Sequence, residues 1–207
     1  MQADMHTGGV VTATNLAEFF RGALRSALAD QRLAVDEHTE HYVVNMLTLF
    51  ARAENLYEST PDGPRLKPLA QIFADALEAS SATERDLALQ RLGDVSLFMA
   101  GLFARGFARR LVDVDYHIAM GGRAYDALAS SLERGRRRAL AHVFTELAAK
   151  FQPLVDALGE IGDAAYVYSH RDILRLYEIW LKTGSARANR ILRSLGIEAA
   201  PVELRTH

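Results

Sequence analysis

Residues 107–132 read FARRLVDVDYHIAMGGRAYDALASSL, and the fold class follows from where the apolar side chains fall in that stretch. Phe107, Leu111, Val114, Ile118, Gly121, Tyr125, Leu128 and Leu132 recur at alternating spacings of four and three residues. That repeat puts one residue per turn on a single face of an α-helix, which is the seam by which helices pair. Past Arg134, Gly135 and Arg136 the same alternation resumes through Leu140, Phe144, Leu147, Phe151, Leu154, Leu158 and Ile161. Two long helices joined at this basic turn are predicted to pack as a central antiparallel hairpin. Pro153 lacks a backbone donor and is expected to kink the second of them.

Working upstream, Asn15 with Glu18 reads as a helix start, followed by Leu16, Phe19, Phe20, Leu24 and Leu28 on one face. A second helix is expected from Asp36 to about Tyr57, with Tyr42, Val43, Met46, Leu47, Phe50 and Ala53 inward. His38, His41, Asn45, Thr48 and Arg52 form its polar stripe. Thr60, Pro61, Asp62, Gly63 and Pro64 are turn formers and read as a surface loop. A third helix follows from Pro68 to Ala79, with Leu69, Ile72, Phe73 and Leu77 apolar. Ser81 with Glu84 is a capping box that opens a fourth, through Leu87, Leu92, Val95, Phe98, Leu102 and Phe103. From Val95 on, this helix is apolar nearly all round and should lie centrally.

Downstream, Ser169 with Asp172 opens a helix carrying Ile173, Tyr177, Trp180 and Leu181, capped at Gly184. A last short helix runs through Ile191, Leu192 and Leu195 to Gly196. No segment alternates with period two, so no sheet is expected. The fold class is all-α, a bundle of seven or eight helices. An N-terminal arm occupies 1–13, one helical domain 14–198, and a tail 199–207.

The composition suits that reading. The chain has 207 residues, 49% of them hydrophobic, which is ample for one core. Its 24 basic and 26 acidic residues give a net charge of -2, so no global field draws nucleic acid or an anionic membrane. There is no Cys, which excludes disulfides, thiolate nucleophiles and thiolate metal sites. Met1 to Thr14 shows no basic region followed by an apolar run, so the expected compartment is the cytoplasm. The longest apolar stretch, Val95 to Phe103, is far short of the roughly 20 residues that a membrane span needs.

Polar residues inside apolar helices mark the candidate site, because each buried one needs a partner to offset its desolvation. Gly93 and Asp94 interrupt the fourth helix, and Asp113, Asp115 and His117 precede Gly121, Gly122 and Arg123. Asp113 and His117 are four apart and share a face, as an acid-base pair or two metal ligands would. Against this stands plain ion pairing: Asp113 with Arg109 or Arg110, and Asp94 with Arg91 or Arg123. Asp94, Asp113, His117 and Arg123 are taken as the candidate ligand-binding set. Gly121 and Gly122 each cost about 1 kcal/mol against alanine in a helix, which close approach of a neighbouring helix would offset.

His38 and His41 beside Glu37 and Glu40, and His142 with Glu146, are further pairs at helical spacing. They lack the carboxylate-x-x-His pattern of helical di-iron sites, and no metal or cofactor is assigned. Arg134, Arg136, Arg137 and Arg138 form a basic knot, and Arg187, Arg190 and Arg193 recur at spacing three. The helices around Thr183, Gly184 and Ser185 have helix-turn-helix proportions, but Arg190 falls where that motif buries an apolar residue. No nucleophile elbow, phosphate loop or kinase motif is present.

Leu92 to Phe98, Arg110 to Tyr116 and Gly121 to Tyr125 carry a resemblance to a group of bacterial all-helical proteins of unknown function. The resemblance spans roughly residues 40 to 195. It implies a bacterial cytosolic helical protein and no activity. The functional expectation is a noncatalytic module for protein-protein interaction or regulation, acting as a homo-oligomer or with a protein partner. A metal-dependent helical-bundle enzyme, ferritin-like or heme-oxygenase-like with Asp, His and Glu ligands, is the alternative. Nucleic-acid binding through the Arg-rich helix ends ranks third, and no membrane contact is expected.

Overall fold

The second and fifth helices form where an apolar stripe meets a capping side chain. The computed structural model of the protein describes residues 13–61, 63–103, 114–134 and 138–164, with residues 177, 190, 192 and 193. Among them are eight helices: α1 (Ala13–Asp30), α2 (Glu37–Phe50), α3 (Ala53–Leu56), α4 (Leu69–Glu78), α5 (Ala82–Leu102), α6 (Val114–Arg134), α7 (Arg138–Ala149) and α8 (Phe151–Ala164). The chain divides into two compact units, Met1–Gly162 and Asp163–His207, where the sequence reading runs one domain over 14–198. In the second unit Leu192 is buried, and Arg190 and Arg193 are exposed. The capping box at Ser169 and most of the two last expected helices lie outside the described residues.

The capping box at Ser81 and the helix start at Asp36 act as read, whereas Asn15, read as a start, lies inside α1, which begins at Ala13. Asp36 caps α2, its Oδ1 accepting from the His38 backbone N–H at 2.9 Å. Ser81 Oγ accepts from Glu84 N–H at 3.2 Å, and Glu84 Oε2 reaches back to the N–H of Ser80 at 2.9 Å. α2 stops sooner than expected: the chain turns at Ala51 and Arg52, α3 follows, and then comes a two-stranded antiparallel ladder. Strands β1 (Glu58–Thr60) and β2 (Gly63–Arg65) pair Glu58 with Arg65, Ser59 with Pro64 and Thr60 with Gly63. The expectation of no sheet is corrected here, because the turn formers read as a loop close a tight hairpin. Gly63 takes φ 108°, a left-handed value open to glycine at little cost.

α5 is the central helix, with Val95, Ser96, Leu97, Phe98, Ala100 and Gly101 all buried. α4 and α6 pack on it, and α6 packs on α7. Along the α6 seam Gly121, Tyr125, Leu128 and Leu132 are buried, and Val114 and Ile118 half-buried. The Tyr125 ring lies 5.6 Å from that of Phe144 and 5.8 Å from that of Phe151. A Cβ on Gly121 would run into the Phe151 ring and the Ser96 side chain, so this glycine permits the close helix approach. The second seam does not run as one helix. It breaks at Lys150, and Pro153 sits in the first turn of α8, where a missing donor costs nothing. Phe107 and Leu111 lie outside the described residues, and Leu140 is exposed.

Candidate functional site

Asp94 stands on the buried side of α5, and the approach of α6 to this side depends on its neighbour Gly93. A Cβ at residue 93 would overlap the Tyr125 ring, so only glycine lets that ring cross the helix. Tyr125 is fully buried, and its hydroxyl donates to Asp94 Oδ1 at 2.7 Å. Tyr42 of α2 donates to the same oxygen at 2.6 Å. The Gln90 side-chain amide donates to the Tyr42 hydroxyl oxygen at 2.9 Å. One carboxylate oxygen with two lone pairs thus receives two phenols, and this single atom ties α2, α5 and α6 together.

The electrostatics follow from burial. Loss of water pushes the Asp94 carboxyl up to about 6, while the bonds from Tyr42 and Tyr125 and the charge of Arg91 pull it down. Burial, reinforced by the charge of Asp94, raises both phenols above their ordinary range, so they remain protonated donors. Arg91 acts on Asp94 through space only. Its guanidinium donates to the carbonyls of Asn55 and Leu56 at 2.7 and 2.8 Å, capping the end of α3. It also lies over the Phe50 ring, 4.8 Å from the centroid.

The expected ion pair of Asp94 with Arg91 or Arg123 is therefore corrected: two tyrosines hold the carboxylate, and Arg123 is exposed on α6. His117 is buried two turns before Tyr125 on the same face of α6, and loss of water lowers its imidazole to about 4. It is neutral at pH 7, with its ring edge-on to Tyr116. Asp113 lies outside the described residues, and Asp115 is exposed. Of the four candidates, the structure brings Asp94 into a hydrogen-bonded cluster.

Among the described residues no group of three or more His, Asp or Glu could hold a metal ion. His38 and His41 are exposed, and His38 Nδ1 pairs with Asp36 at 3.0 Å. His142 is exposed too, while Glu146 accepts from the Asp36 backbone N–H and pairs with Lys150 at 2.6 Å. Arg134 Nε donates to the Ser130 carbonyl at 3.0 Å, and residues 135–137 and Arg187 lie outside the described residues. No helix of the described residues is long and apolar enough to cross a membrane.

Tyr42 and Tyr125 are the cluster residues that pattern reasoning missed, because both sit in apolar seams and read as packing. The signal was present: a tyrosine at a fully buried seam position needs a partner for its hydroxyl, and Asp94 is the acid in the facing helix. Ser96 Oγ is a further buried polar atom, with no hydrogen-bond partner among the described residues.

A pH dependence follows. The folded-state value of Asp94 lies above its ordinary 3.8, so the native state holds this proton more tightly than the unfolded chain. Its stabilising contribution is full below about pH 4 and is lost as pH rises through about 6. His117 acts oppositely: its value is lowered from 6.5, so its contribution is present above pH 6.5 and is lost as pH falls toward 4. The two slopes offset one another in the wild type. Asp94→Asn removes one of them, so urea unfolding of that variant is expected to lose stability between pH 6.5 and 4.5 more steeply than wild type. Equal slopes would show that Asp94 does not titrate there.

Comparison with protein-family models, with curated proteins and with solved structures finds no match to this chain.

Proposed function

We propose that the chain is a noncatalytic interaction module that works as a homodimer. One observation carries this reading: α4 is apolar on two faces. Leu69, Ile72 and Ala76 are buried against the rest of the fold. In the adjoining stripe, Ala70, Phe73, Ala74 and Leu77 at spacings of three, one and three, Ala74 is half-buried and the others are exposed, Phe73 to 42% and Leu77 to 69%. A ten-residue helix needs one apolar face to dock on its own domain, and the second keeps ordered water against hydrocarbon. Covering it recovers about 25 cal/mol for every Å² removed from water. The polar cluster at Asp94 supports the same reading from the other side, since its acceptor oxygen is filled by side chains of the fold.

Light scattering over a concentration series tests the proposal. The expected result is a species of twice the 22.9 kDa chain mass. A single-chain mass throughout the series would sink it.

A further inference from the structure

The outer face of α4 has the shape and charge order of a surface that pairs with itself. In an antiparallel pairing of two copies about a two-fold axis between Phe73 and Ala74, each residue faces the one equally far on the other side of that axis. Leu77 then falls on Ala70 of the second copy, and Phe73 on Ala74 of the second copy. Each contact sets a large side chain on a small one, which is how facing ridges fill their grooves. A parallel pairing would set Leu77 on Leu77 and leave the alanines facing each other across a gap.

The charges point the same way. α4 has no acidic residue in its first turn and no basic residue in its last. Glu78 is its final residue, while Arg65 and Lys67 come just before its start. A helix is partly positive at its N-terminus and partly negative at its C-terminus, so these side chains oppose the helix's own dipole. An antiparallel second copy reverses the relation, because in this register Glu78 falls on Leu69, the first residue and positive end of the other α4, on the side of the chain where Arg65 and Lys67 precede it. Lys67 already pairs with Asp75 at 2.7 Å within its own chain, whereas Arg65 is exposed on β2. From this juxtaposition we infer that the occupant of the outer face of α4 is the antiparallel α4 of a second copy of the chain. The inference rests on the homodimer reading and deepens it by naming the surface and the register.

Because the chain has no cysteine, every introduced thiol is unique. Ala70→Cys and Leu77→Cys alter exposed positions and leave the core intact. A disulfide requires Cα atoms within about 7 Å. In the antiparallel register residue 70 meets residue 77, while like residues stand about 10 Å apart along the axis. Mild oxidation is therefore expected to give a covalent dimer when the two variants are mixed, and none with either alone. Cross-linking of each variant with itself would mean parallel pairing and overturn the inference. No cross-link in the mixture, with wild type at twice the chain mass, would place the dimer contact elsewhere: the inference fails and the homodimer reading stands. A monomeric wild type removes both.

Discussion

Asp94→Ala is expected to lower the free energy of unfolding at pH 7 by about 3–5 kcal/mol, the range for removing one partner of a buried charged cluster. The reason is what it strands. The Tyr42 and Tyr125 hydroxyls both lose their acceptor, and Tyr125 has no solvent to turn to. A buried donor left unsatisfied costs about 1–3 kcal/mol, and the lost carboxylate leaves a void besides. Asp94→Asn should behave differently. Its amide oxygen can stand at the position of Oδ1 and accept both phenols, and no charge then needs to be kept out of water. Its cost is expected to stay below about 1.5 kcal/mol, near that of one ordinary hydrogen bond. Urea denaturation of the three proteins at pH 7 measures both. If alanine and asparagine cost the same, the acceptor role of Asp94 is wrong; if alanine costs under about 1 kcal/mol, the cluster does not hold the helices together.

The second large effect is Gly93→Ala. By helix propensity alone this change should stabilise α5 by about 1 kcal/mol. The structure predicts the reverse, a loss of about 2–3 kcal/mol, because overpacking of a filled core costs about that much. The new methyl would overlap the edge of the Tyr125 ring, which packs against the rings of Phe144 and Phe151. Any shift of the ring also draws its hydroxyl from Asp94. Gly22→Ala is the internal control: Gly22 is exposed within α1, and a Cβ there meets nothing within 4 Å. That variant should gain about 0.5–1 kcal/mol, the ordinary difference between glycine and alanine in a helix. Thermal unfolding of the two variants should move the midpoint in opposite directions. A rise for both would show that the contact between α5 and α6 is looser than the Gly93 packing requires.

The contrast between these glycines shows how far sequence reasoning reaches. Gly22 and Gly93 are equally legible as helix interruptions, and nothing in their immediate neighbours separates them. The packing partner does, and for Gly93 it stands 32 residues away at Tyr125. Phe73 and Leu77 teach the converse. Their spacing groups them with Leu69 and Ile72 as the apolar residues of α4, yet the structure buries Leu69 and Ile72, with Ala76, and leaves Phe73 and Leu77 exposed. A helix with two adjoining apolar faces gives a broad signal whose centre falls between them, and only the neighbouring elements select the face that is used.

Helix class, the start of α2 at Asp36, the capping box at Ser81, the apolar seam through Tyr125 and the central place of α5 were all determined by the sequence alone. Each depends on interactions within one or two turns, so local spacing carries them. The early end of α2, the hairpin of β1 and β2, the outward face of α4 and the meeting of Tyr42, Asp94 and Tyr125 were decided by tertiary structure. Each depends on which surfaces of distant segments come together. The two tyrosines lie 83 residues apart and reach one oxygen because burying the seams of α2, α5 and α6 brings both phenols to the one carboxylate, where each hydroxyl finds an acceptor.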